Sequence, residues 1–388
     1  MDSLTTAQNS FGLALLQRVA RAEPNRNVFL SPFSVATALQ LVLDGAAGTT
    51  HAAIARTLHV AELPATELDA ALTAQVQALV ANEEGEPVFT LANAIWADKS
   101  FSLAPTYMAR LQQQYQAEAA TLDFAAPNAA DTINDWVREH TRGKITRIVS
   151  DDNLQPPLVL ANAIYFKGRW ASEFNPVSTR PGSFALADGG HQQVPLMQQR
   201  SARLGYQMGP GWQAVQLPYE GYRCQLSMQL FVPEQPTGLP AFLAALTADN
   251  WAAWQTAFVA QPEPLLVDLT MPRFRLDWES DLVPALAVLG LKPALGEGAD
   301  FTPMGFPVEL GGFIGSILHK TFLAVDEQGT EAAAVTAVMM AGSGRPPAPP
   351  REVIVRANHP FFCAIVDERT GALLFGGAVY EPAADALH

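Results

Sequence analysis

Two scarcities in this 388-residue chain exclude whole classes of protein. The first is cysteine: only Cys224 and Cys363 occur, far apart, each inside an apolar strand-like run. That pattern favours two buried free thiols over a disulfide framework. The second is positive charge, with 24 Lys and Arg against 38 Asp and Glu and a formal net charge of −14. No block of Lys or Arg occurs anywhere, so nucleic acid and heparin-type polyanions are not expected partners, since both need a concentrated basic face. The surplus acid reads as a solubility feature. No apolar run is long enough to span a bilayer, so no membrane partner is expected. Met1-Asp2-Ser3-Leu4 lacks a basic n-region and a long apolar h-region, so the chain as given shows no signal peptide. Arg outnumbers Lys and Ala is abundant, which points to a GC-rich bacterial genome.

Catalytic patterns are equally scarce. Gly-x-Ser-x-Gly, His-Glu-x-x-His and Gly-x-x-x-x-Gly-Lys-Ser/Thr are all missing. Ser343 lies between Gly342 and Gly344, but a Gly-Ser-Gly tripeptide alone has no catalytic context. The seven histidines are scattered without metal-ligand spacing. No enzyme activity, metal or cofactor is therefore expected.

What is present is a helical first third followed by many strands. Phe11, Leu15, Leu16 and Val19 recur at helical spacing within 7–21, and 34–43 repeats the pattern after Ser31-Pro32-Phe33, a helix start. Helices are also predicted at 50–58, 128–140 and 280–289, the last ending at Gly290. Residues 89–96 and 158–166 read as strands, the second nearly all apolar and so covered on both faces. Further strands are predicted at 214–217, 225–232, 265–271, 354–355, 361–366 and 373–379, with 367–371 as a hairpin turn. Helices first and strands later fit α+β better than repeated βαβ units. With no repeat or linker, one domain over 1–388 is expected.

The stretch from Glu327 to Val338 stands apart. One parity carries Thr330, Ala332, Ala334, Thr336 and Val338; the other carries Glu331, Ala333, Val335 and Ala337. Side chains alternate between faces in a strand, so the first set could slide between existing strands without a large group obstructing it. Gly342-Ser343-Gly344-Arg345-Pro346-Pro347-Ala348-Pro349-Pro350 follows and reads as exposed loop. Together they describe a mobile loop able to become a strand.

From about Ala7 to Pro382 the chain resembles the serpins. The resemblance is carried by Asn27-Val28-Phe29-Leu30-Ser31-Pro32-Phe33-Ser34, by 160–170 (LANAIYFKGRW), and by Met271-Pro272-Arg273-Phe274. His319-Lys320-Thr321-Phe322, Asn358-His359-Pro360-Phe361-Phe362 and Phe375-Gly376-Gly377 complete it in the same order. It implies a serpin fold of three β-sheets and eight or nine helices, with an exposed reactive loop at about 327–352. It also implies suicide inhibition, in which a serine or cysteine protease forms an acyl-enzyme on the loop and is trapped as the cleaved loop enters the main sheet.

Residue by residue, the resemblance makes Glu327, Gly329, Thr330, Glu331, Ala332, Ala333 and Ala334 the hinge. Ser31, Ser34, Asn162 and His319 match the shutter, a buried polar cluster beneath the opening of the sheet. Trp170 matches the tryptophan at the breach, with plain core packing as its other reading. Family spacing from Glu327 puts the reactive bond at Ser343-Gly344, with Met340-Ala341 as second candidate. Arg345 is followed by Pro346, which disfavours a trypsin-like target; Met340 to Ser343 suit elastase-, subtilisin- or chymotrypsin-like proteases. A non-inhibitory carrier, chaperone or storage serpin is the alternative. Such members commonly spoil the hinge with bulky, charged or proline residues, whereas this hinge has no proline and only Glu331 as a charge, at a position where the family accepts it. The family suggests an extracellular monomer prone to loop-sheet polymers; with no leader in the chain, a cytoplasmic one is the other reading.

Overall fold

The computed structural model of the chain describes residues 2–80, 86–115, 117–150, 154–201, 204–221, 225–259, 265–330 and 351–382. Cys224, the hinge residues Glu331 to Ala334 and both candidate reactive bonds lie outside these.

The N-terminal part contains α1 (Ser3–Ala22), β1 (Val28–Leu30), α2 (Pro32–Asp44), α3 (Gly48–Thr57), α4 (Ala65–Val80) and β2 (Val88–Asp98). Next come α5 (Pro105–Tyr115), β3 (Glu118–Leu122), α6 (Ala129–His140), β4 (Leu158–Arg169), β5 (Arg180–Ala185) and β6 (His191–Ser201). Then follow β7 (Gly205–Gly209), β8 (Trp212–Pro218), β9 (Leu226–Pro233), α7 (Leu239–Ala245), α8 (Ala248–Val259), β10 (Leu266–Pro272) and β11 (Phe274–Asp281). The chain ends with α9 (Val283–Leu286), β12 (Ile314–Val325), β13 (Gly329–Thr330), β14 (Glu352–Arg356), β15 (Phe361–Asp367) and β16 (Ala372–Val379).

Local chemistry explains the elements that matter for the site. Ser31 caps α2, its Oγ accepting the Ser34 N–H at 3.1 Å, and Pro32 occupies the first turn where its missing N–H costs nothing. The apolar run of β4 is buried on both faces, as such runs demand.

Nine α-helices among the described residues surround three sheets, the α+β arrangement expected. The main sheet runs β11-β12-β13-β4-β2-β3; a second runs β1-β16-β15-β9-β8-β7; a four-stranded sheet runs β14-β10-β6-β5. The large core fills the space between the main and second sheets and the helices α1 and α2. A smaller core, with Trp96, Ile133, Trp136 and Val137, glues α6 to the other face of the main sheet. No helix of the described residues is long and apolar enough to cross a membrane. Cys363 is a buried free thiol, its pKa pushed up by burial.

The predicted helix over 280–289 needs correction. Phe274, Leu276 and Trp278 are buried in strict alternation with exposed neighbours, so the strand continues through Ser280 to Asp281. Only Val283–Leu286 is α-helical, and Gly290 at φ 119° ends the irregular turn after it. Pattern reading also passed over α4, α5 and β12. In β12 the polar run His319-Lys320-Thr321 hides the period, because His319 and Thr321 are buried for a reason other than hydrophobicity.

Candidate functional site: the seam of the main sheet

β12 and β4 are parallel neighbours, with Leu318 opposite Ala161, His319 opposite Asn162 and Thr321 opposite Ile164. At one end of this seam the two-residue strand β13 is wedged between them, antiparallel to both. Thr330 pairs with Val325 and with Gly168, and Gly329 with Arg169. Glycine is required at 329, since an added Cβ would lie 2.1 Å from the Gly168 carbonyl oxygen. Thr330 is fully buried.

The residues before β13 are fixed firmly. The Glu327 carboxylate accepts from Arg273 in a fork, Nη2 to Oε1 at 2.6 Å and Nε to Oε2 at 2.8 Å, and from the Thr179 hydroxyl. Burial acts to raise the Glu327 carboxyl, but these partners outweigh it and hold the group below its usual range. Asp326 Oδ1 accepts the Gln328 and Gly329 N–H groups at 2.8 and 3.1 Å. Trp170 donates its indole N–H to the Asp326 carbonyl and its backbone N–H to the Gln328 carbonyl, both at 2.9 Å. Its ring stacks on Tyr219 with centroids 4.7 Å apart and planes 13° from parallel. The Tyr219 hydroxyl lies 2.8 Å from Thr330 Oγ1, and burial raises that phenol's pKa. Trp170 is thus core packing and also a contact to the residues just before β13.

Below β13 lies a buried polar cluster. The His319 Nε2 accepts the Ser31 N–H at 3.0 Å, so the neutral ring carries its proton on Nδ1, which donates to Asn162 Oδ1. This orients Asn162: its amide N–H groups go to Ser34 and to Asn93 Oδ1. Ser31 Oγ donates to the Leu374 carbonyl at 2.6 Å. All four sequence-predicted residues therefore meet, with α2 spanning the seam: Ser34 holds β4 and Ser31 holds β12. The sequence by itself assigns no role to Asn93, Tyr219 or Thr179, and Arg273 stands there only as part of the Met271–Phe274 stretch. A lone amide in the apolar run 89–96 was the one available signal for Asn93.

Burial pushes the His319 pKa down to about 3, only partly offset by Asn162. The native state therefore binds fewer protons than the unfolded chain, whose histidine titrates near 6.5. The resulting stabilisation is complete above pH 6.5 and is lost as pH falls towards 3, by up to about 1.4 kcal/mol per unit. We expect the wild type to lose on the order of 2–3 kcal/mol more than His319→Gln between pH 7 and 4.5 in denaturant titrations. Parallel pH profiles for the two proteins would refute the neutral buried ring.

With this geometry in place, comparison with known proteins decides the family. The family model described as Serpin (serine protease inhibitor) matches residues 6–382.

The chain is a serpin.

This serpin is 34% identical to the leukocyte elastase inhibitor of Sus scrofa over 394 residues, covering 98% of this chain and 100% of that one. Among solved structures, Serpin48 of the insect Tenebrio molitor superposes with a TM-score of 0.85 at 28% identity, covering 99% of this chain and 100% of that one. Human thyroxine-binding globulin also superposes with a TM-score of 0.85, at 26% identity and 98% coverage of each chain. Protease inhibition is thus the broad activity of the family. The globulin's presence means that fold alone does not separate an inhibitor from a carrier.

Proposed function

We propose that this serpin is a suicide-substrate inhibitor of serine proteases, trapping the acyl-enzyme as its cleaved loop enters the seam between β12 and β4. The observation that carries this reading is β13, two hinge residues already paired with both flanking strands. Serpin loop insertion is itself a standard instance of strand addition and stored-strain release. What this chain adds is a register. Continued from Thr330, it places Ala332 opposite Phe166 and Leu323, Ala334 opposite Ile164 and Thr321, and Thr336 opposite Asn162 and His319. Insertion separates Asn162 from His319 by one strand and breaks their hydrogen bond. Thr336 supplies a hydroxyl, donor and acceptor in one, at that position. Small residues would thus face the core and a polar one the shutter.

The hinge also favours inhibition over the carrier reading: Gly329 to Val338 contains no proline, and Glu331 is its one charge. In the inserted strand Glu331, Ala333 and Val335 would fall on the face towards α6. The reactive bond is placed at Ser343-Gly344, with Met340-Ala341 second, and elastase-, subtilisin- or chymotrypsin-like proteases as targets. Incubation with a panel of such proteases is expected to give a detergent-stable covalent adduct, with a released C-terminal fragment whose mass identifies the bond. Cleaved loop without any adduct across the panel would leave only the non-inhibitory reading.

A further inference from the structure

Three helices meet around one buried carboxyl at the C-terminal end of α2. Asp44, its side chain 7% exposed, faces α4 and α5. The Tyr115 hydroxyl at the end of α5 lies 2.9 Å from Asp44 Oδ2 and 3.0 Å from Asp69 Oδ1 of α4. Arg110 of α5 donates Nη2–H to Asp69 Oδ2 at 2.7 Å. Its Nε is 3.1 Å from Asp44 Oδ2, but that N–H is directed to Gln114 Oε1 at 3.0 Å. Tyr107 donates to the Leu41 carbonyl at 2.8 Å, and Gln40 completes the polar surroundings of Asp44.

A phenol has one proton. Two ionised carboxylates cannot both accept it, and the second contact would set oxygen lone pairs against each other at about 3 Å. Both contacts are satisfied when one carboxyl carries its own proton and donates to the Tyr115 oxygen. Arg110 decides which one: it donates an N–H to Asp69, whereas the more deeply buried Asp44 receives none from Arg110 and only a side-chain hydrogen bond from Gln40. The chain then runs from Asp44 O–H to Tyr115, from Tyr115 O–H to Asp69, with Arg110 closing it. Burial agrees, raising the Asp44 carboxyl to about 6 against the partial offset of Arg110 and Tyr115.

We propose that this proton-bridged clasp of Asp44, Tyr115 and Asp69 regulates how readily the main sheet parts, tying α2 to α4 and α5 until the proton leaves. The proposal rests on the insertion reading above. At its other end α2 holds the seam through Ser31 and Ser34. Although it touches β4, it is anchored chiefly on α1 and on β16 of the second sheet, while α4 packs on β2 and α5 on β3. Those strands belong to the part of the sheet that travels with β4. Parting β4 from β12 therefore pulls α4 and α5 away from α2, across the clasp. With the proton gone to solvent, two carboxylates share one guanidinium and Tyr115 satisfies only one of them. Because the native pKa of Asp44 is raised, the clasp's stabilisation is full below pH 3.8 and is lost as pH rises through about 6. That is opposite in sign to His319 at the other end of α2.

Asp44→Asn stays neutral and can donate its amide to Tyr115 at every pH; Tyr115→Phe removes the relay. Two readouts from pH 5 to 7.5 test the idea: the thermal midpoint, and the rate of uptake of a synthetic peptide with the sequence of residues 330–341. The wild-type midpoint is expected to fall relative to Asp44→Asn as pH rises. Wild-type uptake is expected to accelerate at least about threefold relative to Asp44→Asn, within the tenfold per unit that titration allows, with Tyr115→Phe fast throughout. Parallel midpoint profiles overturn the shared proton. Diverging midpoints with uptake indifferent to pH overturn its regulatory role. Diverging midpoints with no uptake by any variant, and no protease adduct, leave the clasp intact and sink the insertion reading instead.

Discussion

Thr330→Arg is expected to turn this serpin from an inhibitor into a substrate. Thr330 is fully buried between Gly168 and Val325, with its hydroxyl against Tyr219. Continued insertion keeps that residue in place and zips the following ones in behind it. An arginine there must either bury an unpaired charge, at a cost of several kcal/mol, or pull the hinge out of the sheet. Each added 1.4 kcal/mol on the insertion barrier slows it about tenfold, while hydrolysis of the acyl-enzyme proceeds unhindered. Covalent adduct is therefore expected to fall at least about tenfold, with the loop cut at the same bond. Thr330→Ser, which keeps the hydroxyl, is expected to inhibit like the wild type. Gel analysis of adduct against cleaved chain, with mass measurement of the released fragment, reads both. Undiminished adduct from Thr330→Arg would remove β13 as the start of insertion.

The parts of this fold that were legible in the sequence share one property: their side chains announce their surroundings locally. The helix over 34–43 shows its period and its Ser31-Pro32 start, and the strand over 158–166 shows unbroken apolarity. β11 was misread because Ser280 to Leu289 resembles a short amphipathic helix, while the alternation that decides it begins earlier, at Phe274. The shutter was legible only through family resemblance; nothing local says that Asn162 and His319, 157 positions apart, share a bond. The same holds for Arg273 with Glu327, and for Tyr219 with Thr330. The clasp was invisible for the same reason, since Asp44, Asp69 and Tyr115 each look like ordinary helix-surface residues until three helices bring them together. Hinge residues from Glu331 onward are read by continuing the register that β13 begins, and the reactive bond by family spacing from Glu327.

Insertion as the source of trapping makes one further strong demand, on stability after cleavage. Among the described residues, β12 and β4 pair directly along most of the seam, and Gly329 and Thr330 join them at one end. A cut loop that inserts exchanges the one ladder between β12 and β4 for two, each added hydrogen bond worth about 1 kcal/mol net, and buries its apolar side chains, less the entropy of ordering the strand. A net gain of about 5–10 kcal/mol, at about 1.2 °C per kcal/mol in a chain of this length, raises the thermal midpoint by about 6–12 °C. The intact form is then a kinetic trap, stable because the seam opens slowly. The direct measurement is the thermal midpoint of the loop-cleaved protein, both fragments retained, against that of the intact chain. The insertion account predicts a cleaved form that melts about 6–12 °C higher; a cleaved form that melts at the same temperature or lower contradicts it.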